Sequence, residues 1–143
     1  MLAKRIIRFG AFLGVVLTTG CLGLDTGPGF NLIQSIVATG EARPEVARAA
    51  GGPSTATVSG QIVGKLPCDE VDGELKEKGS TIRVIITVRA DRQACNGLAP
   101  TTWSYVANIL NLSAGSRGII VEHRFRGVDG TPGVRLDTVI VIG

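Results

Sequence analysis

Beyond Ser54 the chain alternates apolar and polar residues with a period of two, the spacing at which side chains fall on opposite faces of a β-strand. In Thr81–Ala90, Ile82, Val84, Ile86 and Val88 share one face while Arg83, Thr87 and Arg89 share the other. In Arg117–Arg126, Ile119, Val121 and Phe125 point one way and Glu122, Arg124 and Arg126 the other. Shorter runs predict further strands over Ala56–Val63, Trp103–Leu112 and Val134–Ile142. Turn chemistry separates them: Asp72-Gly73, Lys78-Gly79-Ser80, Asn96-Gly97, Ala114-Gly115, and the run from Val128 to Gly133. No stretch of ten or more residues here keeps a 3.6-residue period. The pattern predicts an all-β domain over residues 55–143, a single antiparallel β-sandwich of five to seven short strands.

The N-terminal part reads differently. Residues 1–8 carry Lys4, Arg5 and Arg8, and Phe9–Leu24 is an uncharged stretch of 16 residues closed by Asp25. A spanning helix needs about 20 apolar residues. This stretch is shorter, is interrupted by Gly10, Gly14, Gly20 and Gly23, and is followed by Gly27-Pro28-Gly29, so it reads as a secretory signal over residues 1–20. Residues 21–54, rich in Gly, Pro, Ala and Thr, read as a flexible tether with two segments capable of order. Pro44–Ala50 has proline in a helix first turn and Gly51 just past its end, the asymmetry of a short helix. Phe30–Thr39 is apolar and reads as either a helical turn or an extra strand.

The hydrophobic stretch contains Leu17-Thr18-Thr19-Gly20-Cys21, which resembles the lipobox of bacterial lipoprotein precursors. Thr18 stands where that family usually has leucine, and Thr18 and Gly20 also suit an ordinary signal peptidase, so plain secretion is the alternative. The resemblance implies that Cys21 becomes the lipidated first residue of a mature chain held on the cell-envelope membrane. The chain has three cysteines. In an oxidising compartment Cys68 and Cys95 then make a disulfide pair, with Cys21 the odd one used for lipid.

A second resemblance lies in the β-region. Tyr105 to Gly115 (YVANILNLSAG), followed by Gly118 to His123 (GIIVEH), looks like the late strand pair of transthyretin-like and other Ig-like modules, with Val58 to Gly64 (VSGQIVG) in the place of a first strand. It implies an Ig-like or prealbumin-like sandwich acting as a binding, spacer or adhesive unit. The tyrosine usual after the glycine turn is replaced by Arg117-Gly118.

Charge changes meaning against this organisation. The whole chain has 15 Lys and Arg against 12 Asp and Glu, a formal charge of +3. Without Lys4, Arg5 and Arg8 the remainder is balanced, so no basic stripe with interleaved aromatics marks a nucleic-acid partner.

Candidate chemistry is sparse. The single histidine, His123, falls on the apolar face beside Val121 and Phe125 and reads as a hydrogen-bonded structural histidine. Ser104 and Asp137 are present, but no serine sits in a Gly-x-Ser-x-Gly elbow. One His and two paired cysteines do not make a zinc site, and no cofactor motif occurs. Asp69, Glu70, Asp72 and Glu74 form an acidic loop around Gly73, a solvated turn or a weak calcium site. Trp103 and Tyr105 project from one face of a strand, as core or as a ligand platform.

The expected protein is a non-catalytic envelope lipoprotein with one β-sandwich interaction module for a protein or glycan. The alternatives are a subunit that assembles by strand pairing of residues 30–39, or a calcium- or carbohydrate-binding module.

Overall fold

The computed structural model describes residues 27–66, 69–90 and 99–143. The expected signal and Cys21 lie outside the described residues, as do Cys68 and Cys95. The rest is all β: β1 (Gly29–Thr39), β2 (Val46–Gly52), β3 (Thr55–Leu66), β4 (Asp69–Lys78), β5 (Thr81–Ala90), β6 (Ala99–Leu110), β7 (Gly115–Arg126) and β8 (Gly133–Ile142). They form two four-stranded sheets, β1-β6-β3-β2 and β4-β5-β7-β8.

The period-two faces become the core between the sheets. Ile82, Val84, Ile86 and Val88 from β5 and Ile119 and Val121 from β7 are fully buried against Val58, Ile62, Tyr105, Ala107 and Ile109 from β3 and β6. Each buried Ile or Val contributes about 1.5–3 kcal/mol relative to exposure. The opposite face of β5 and β7 carries ion pairs, Arg83 with Glu122 at 2.7 Å and Arg124 with Glu122 at 2.6 Å. Ile85 breaks the alternation: it points outward yet is buried, with those ion-paired side chains on its own face.

Three expectations are corrected. First, the pairing is not wholly antiparallel, because β5 and β7 run parallel from Thr81↔Gly118 to Arg89↔Arg126. The intervening strand β6 belongs to the other sheet, so the chain leaves the second sheet and re-enters it in the same direction, the long crossover that parallel neighbours require.

Second, residues 29–52 hold two strands where a tether was expected. Of the two alternatives for Phe30–Thr39 the structure has the strand, within β1 and paired with β6 from Gly29↔Leu110 to Thr39↔Thr101 around a bulge at Ile36/Ala38. Pro44–Ala50 is not a helix, because β2 occupies Val46–Gly52 and turns back on β3 from Val46↔Gln61 to Gly52↔Thr55. Alternation in β2 is carried by Ala47 and Ala49 facing inward, residues too small to register as a hydrophobic stripe.

Third, the acidic segment is a strand and not a loop. Asp69–Lys78 pairs along its length with β5. Asp72-Gly73 resembles a turn dipeptide, but Gly73 is in mid-strand because Phe30 and Leu32 of β1 lie over it. A Cβ there would meet both side chains at 2.9 Å, so glycine is required by close approach and not by turn geometry.

The end of the molecule that carries Gly29 is tied together by main-chain bonds. Ser54 N–H donates to Gly143 O at 3.0 Å, Gly143 N–H to Gly52 O at 3.2 Å, and Leu112 N–H to Ser54 O at 3.0 Å. At the opposite end, residues 40–45 cross from β1 to β2. Thr102 on β6 holds this crossing: its hydroxyl donates to Glu41 O and accepts from Arg43 N–H, both at 3.0 Å.

Candidate functional site

The most constrained polar cluster in the described residues joins both sheets through His123. Alternation in β7 turns this residue inward, where it is fully buried. Its Nε2 lies 2.9 Å from the Tyr105 hydroxyl on β6, and the two rings meet edge to face with centroids 5.6 Å apart. Its Nδ1 lies 3.2 Å from Glu45, the last residue before β2. Arg135 of β8 reaches the same carboxylate, with Nε donating at 2.8 Å, and its Nη2 donates to the Thr131 carbonyl at 2.5 Å. The second Glu45 oxygen accepts from the Val63 N–H at 3.3 Å.

A carboxylate only accepts, so Nδ1 of a neutral His123 carries the proton and donates to Glu45, while Nε2 accepts from the Tyr105 hydroxyl. The Tyr105 hydroxyl, both His123 nitrogens and both Glu45 oxygens are thereby used. Burial by itself would raise the Glu45 carboxyl, but hydrogen bonds from His123, Arg135 and the Val63 amide outweigh it and hold the group below the usual carboxylate range. The Tyr105 phenol is pushed well above its ordinary value, chiefly by burial and then by the Glu45 charge. That is the opposite of an activated nucleophile.

Gly60 of β3 makes the cluster possible. It lies opposite Tyr105 in register, and a Cβ there would fall 2.3 Å from the Tyr105 oxygen and 2.4 Å from the Val46 carbonyl. The missing side chain is the space the phenol occupies. Neither Glu45, Arg135 nor Gly60 was singled out by sequence reasoning; the only signal was a lone histidine on an apolar face, which demands a polar partner without naming it.

The other expected site residues are dispersed. Tyr105 is buried and Trp103 packs against the same core, so the pair faces inward and does not form a surface platform. The Trp103 Nε1–H is buried with no hydrogen-bond partner among the described residues. Along β4 the four carboxylates do not converge. Asp69 is buried and accepts from the Lys65 N–H; burial raises its carboxyl, with Lys65 opposing. Glu70 and Asp72 both pair with Arg89, at 2.8 and 2.9 Å, and Glu74 pairs with Lys76 at 3.1 Å. No group of three or more His, Cys, Asp or Glu among the described residues could hold a metal ion. Ser104 lies at the rim of a shallow hollow on the outer face of the first sheet, with Arg48, Ser59, Gly60 and Gln61, and Asp137 is exposed on β8. Neither meets His123.

The two outer faces differ in charge. On the second sheet, Arg89 pairs with Glu70 and Asp72, Lys76 with Glu74, and Arg83 and Arg124 with Glu122. On the first, register aligns Asn31, Asn108 and Thr57, then Ile33, Val106, Ser59 and Arg48, then Ser35, Ser104, Gln61 and Val46. Arg48 is the one charge in those three rows.

The chain matches no protein-family model, no curated protein and no solved structure. No helix among the described residues is long and apolar enough to cross a membrane.

Proposed function

We propose that this chain is a non-catalytic, lipid-anchored protein of the bacterial cell envelope whose domain of two packed sheets is an interaction module of Ig-like type. The observation that carries the reading is the lipobox-like run Leu17-Thr18-Thr19-Gly20-Cys21, which lies close before the first strand. β1 starts at Gly29, so the intervening residues span at most about 25 Å when extended. An anchor at Cys21 therefore holds the domain against the membrane surface. The polar cluster supports a non-catalytic role, since both nitrogens of its histidine are engaged in joining the sheets.

The proposed Cys68–Cys95 disulfide is supported by the strands that flank it. Asp69 pairs with Ala90 and Leu66 with Ala99, so the described residues that flank the two cysteines are strand neighbours. A bridge closing about 28 residues contributes roughly 3–4 kcal/mol in the chain-entropy picture.

Cell fractionation and intact mass test the proposal together. The mature chain is expected in the membrane fraction with a mass that starts at Cys21, adds a lipid, and lacks two thiol hydrogens. Cys21→Ala is expected to release essentially all of it from membranes. A Cys21→Ala chain that stays membrane-bound would refute the anchor, and two free thiols in the exported protein would refute the bridge.

The subunit reading is favoured by one observation, the exposure of β1. Ile33, Ile36 and Val37 are 56%, 44% and 41% exposed on a strand at the edge of its sheet.

A further inference from the structure

The four sheet edges are protected unequally. Edge strands offer unpaired main-chain donors and acceptors, and proteins usually guard them with charge, proline or cover. β4 is guarded by charge, with seven charged residues among its ten. β2 and β8 cover one another: the backbone of Gly51 abuts the Val141 carbonyl, and Gly143 bonds to Gly52. Among the described residues β1 has neither device. None of its eleven residues is charged and none is proline, and only its bulge at Ile36/Ala38 interrupts it. Residues 33–37 are exposed on both faces of the strand.

We infer that the partner of this edge is a second copy of the same chain, joined by antiparallel β1–β1 pairing across a two-fold axis. This deepens the subunit reading and does not rest on the lipid anchor. A strand without charge meets its own copy with no like-charge repulsion, and the charge along β4 and the mutual cover of β2 and β8 leave β1 as the one described edge of a second copy that it can pair with. The two-fold contact is isologous and closes after one addition, since the three remaining edges are charged or covered. A register centred on Ile33 sets that side chain against its copy and Asn31 opposite Ser35. Pairing joins the two first sheets into one of eight strands, β2-β3-β6-β1-β1-β6-β3-β2, whose outer face carries Arg48 as the sole charge in its three central rows.

The test uses the chain from Leu22 onward, which retains all eight strands and the whole core, so a failed lipid anchor leaves it unaffected. Sedimentation equilibrium over about 1–300 μM is expected to show a monomer–dimer equilibrium. Ile33→Lys, which changes an exposed side chain and places like charges across the axis, is expected to weaken dimerisation at least tenfold while leaving the unfolding midpoint of the monomer unchanged. Amide exchange in residues 29–39 is expected to slow with rising concentration in the wild type only. A wild-type chain that stays monomeric throughout this range, a dimer indifferent to Ile33→Lys, or open-ended association beyond the dimer would overturn the inference. If Ile33→Lys fails to fold, Ser35→Lys on the same outer face provides the same reading.

Discussion

Replacing Glu45 with alanine is expected to lower the free energy of unfolding by roughly 2–4 kcal/mol, somewhat less than the loss of one partner from a fully buried charge pair because Glu45 is only partly buried. Three donors lose their acceptor at once: His123 Nδ1–H, the Arg135 guanidinium and the Val63 amide. The first is fully buried. The crossing segment 40–45 would then be held at its middle by Thr102 alone. Denaturant titration at neutral pH reads the loss, and a change under about 1 kcal/mol would show that the carboxylate is incidental to the fold.

The same group gives the acid limb of stability a sign. The folded Glu45 carboxyl lies below its ordinary value, so its contribution is complete above the usual carboxylate range and disappears as pH falls through the lowered value. Glu122 acts in the same direction, held down by Arg124 and Arg83. Asp69 acts in the opposite direction, because burial raises its carboxyl and the folded state therefore gains relative to the unfolded one as Asp69 takes up its proton. The stability difference between wild type and Glu45→Gln is accordingly expected to be largest near about pH 7 and to shrink toward about pH 3. A difference that stays constant over that interval would assign the effect to shape and not to charge.

Gly60→Ala is expected to destabilise the protein by about 3 kcal/mol or more, at the upper end of overpacking substitutions. The new methyl group would contact the Tyr105 ring and oxygen on one side and the Val46 carbonyl on the other. A main-chain carbonyl fixed in the β2–β3 pairing cannot step aside, so the phenol must leave His123 or β2 must part from β3. The chain has a single tyrosine, so phenolate absorbance reports Tyr105 alone. In the wild type that phenol should resist ionisation well beyond its ordinary value of about 10 for as long as the fold persists, and in Gly60→Ala it should titrate closer to that ordinary value. An unchanged phenol titration in a fully stable Gly60→Ala variant would mean that the close approach is not what positions Tyr105.

The strands with large β-branched residues were legible because their period matches the pleat: β5 and β7 show it almost without exception, and His123 could be placed on the inner face before its partners were known. β4 was hidden for two reasons. Its inward positions, Val71, Gly73 and Leu75, include a glycine that covers nothing itself, and Asp72-Gly73 carries the signature of a turn. The space over Gly73 is taken by Phe30 and Leu32 from a strand some forty residues earlier, a relation that no local window contains. β1 and β2 were hidden because their order comes from pairing with β6 and β3, and Ala47 and Ala49 give too little hydrophobic contrast to announce it. Backbone bonding to a neighbour can order a segment that has almost no pattern of its own.

Alternation along the chain was enough for the all-β class, the inner faces of the two central strands of the second sheet, and the need of a lone inward histidine for a polar partner, because alternation and burial are local consequences of side-chain order along a strand. The assembled fold was needed to show that Glu45 and Arg135 are among those partners, that β5 and β7 run parallel, and that β1 is the uncharged edge of its sheet. Those depend on which strands become neighbours, and that choice is made by packing two faces together across long stretches of intervening chain.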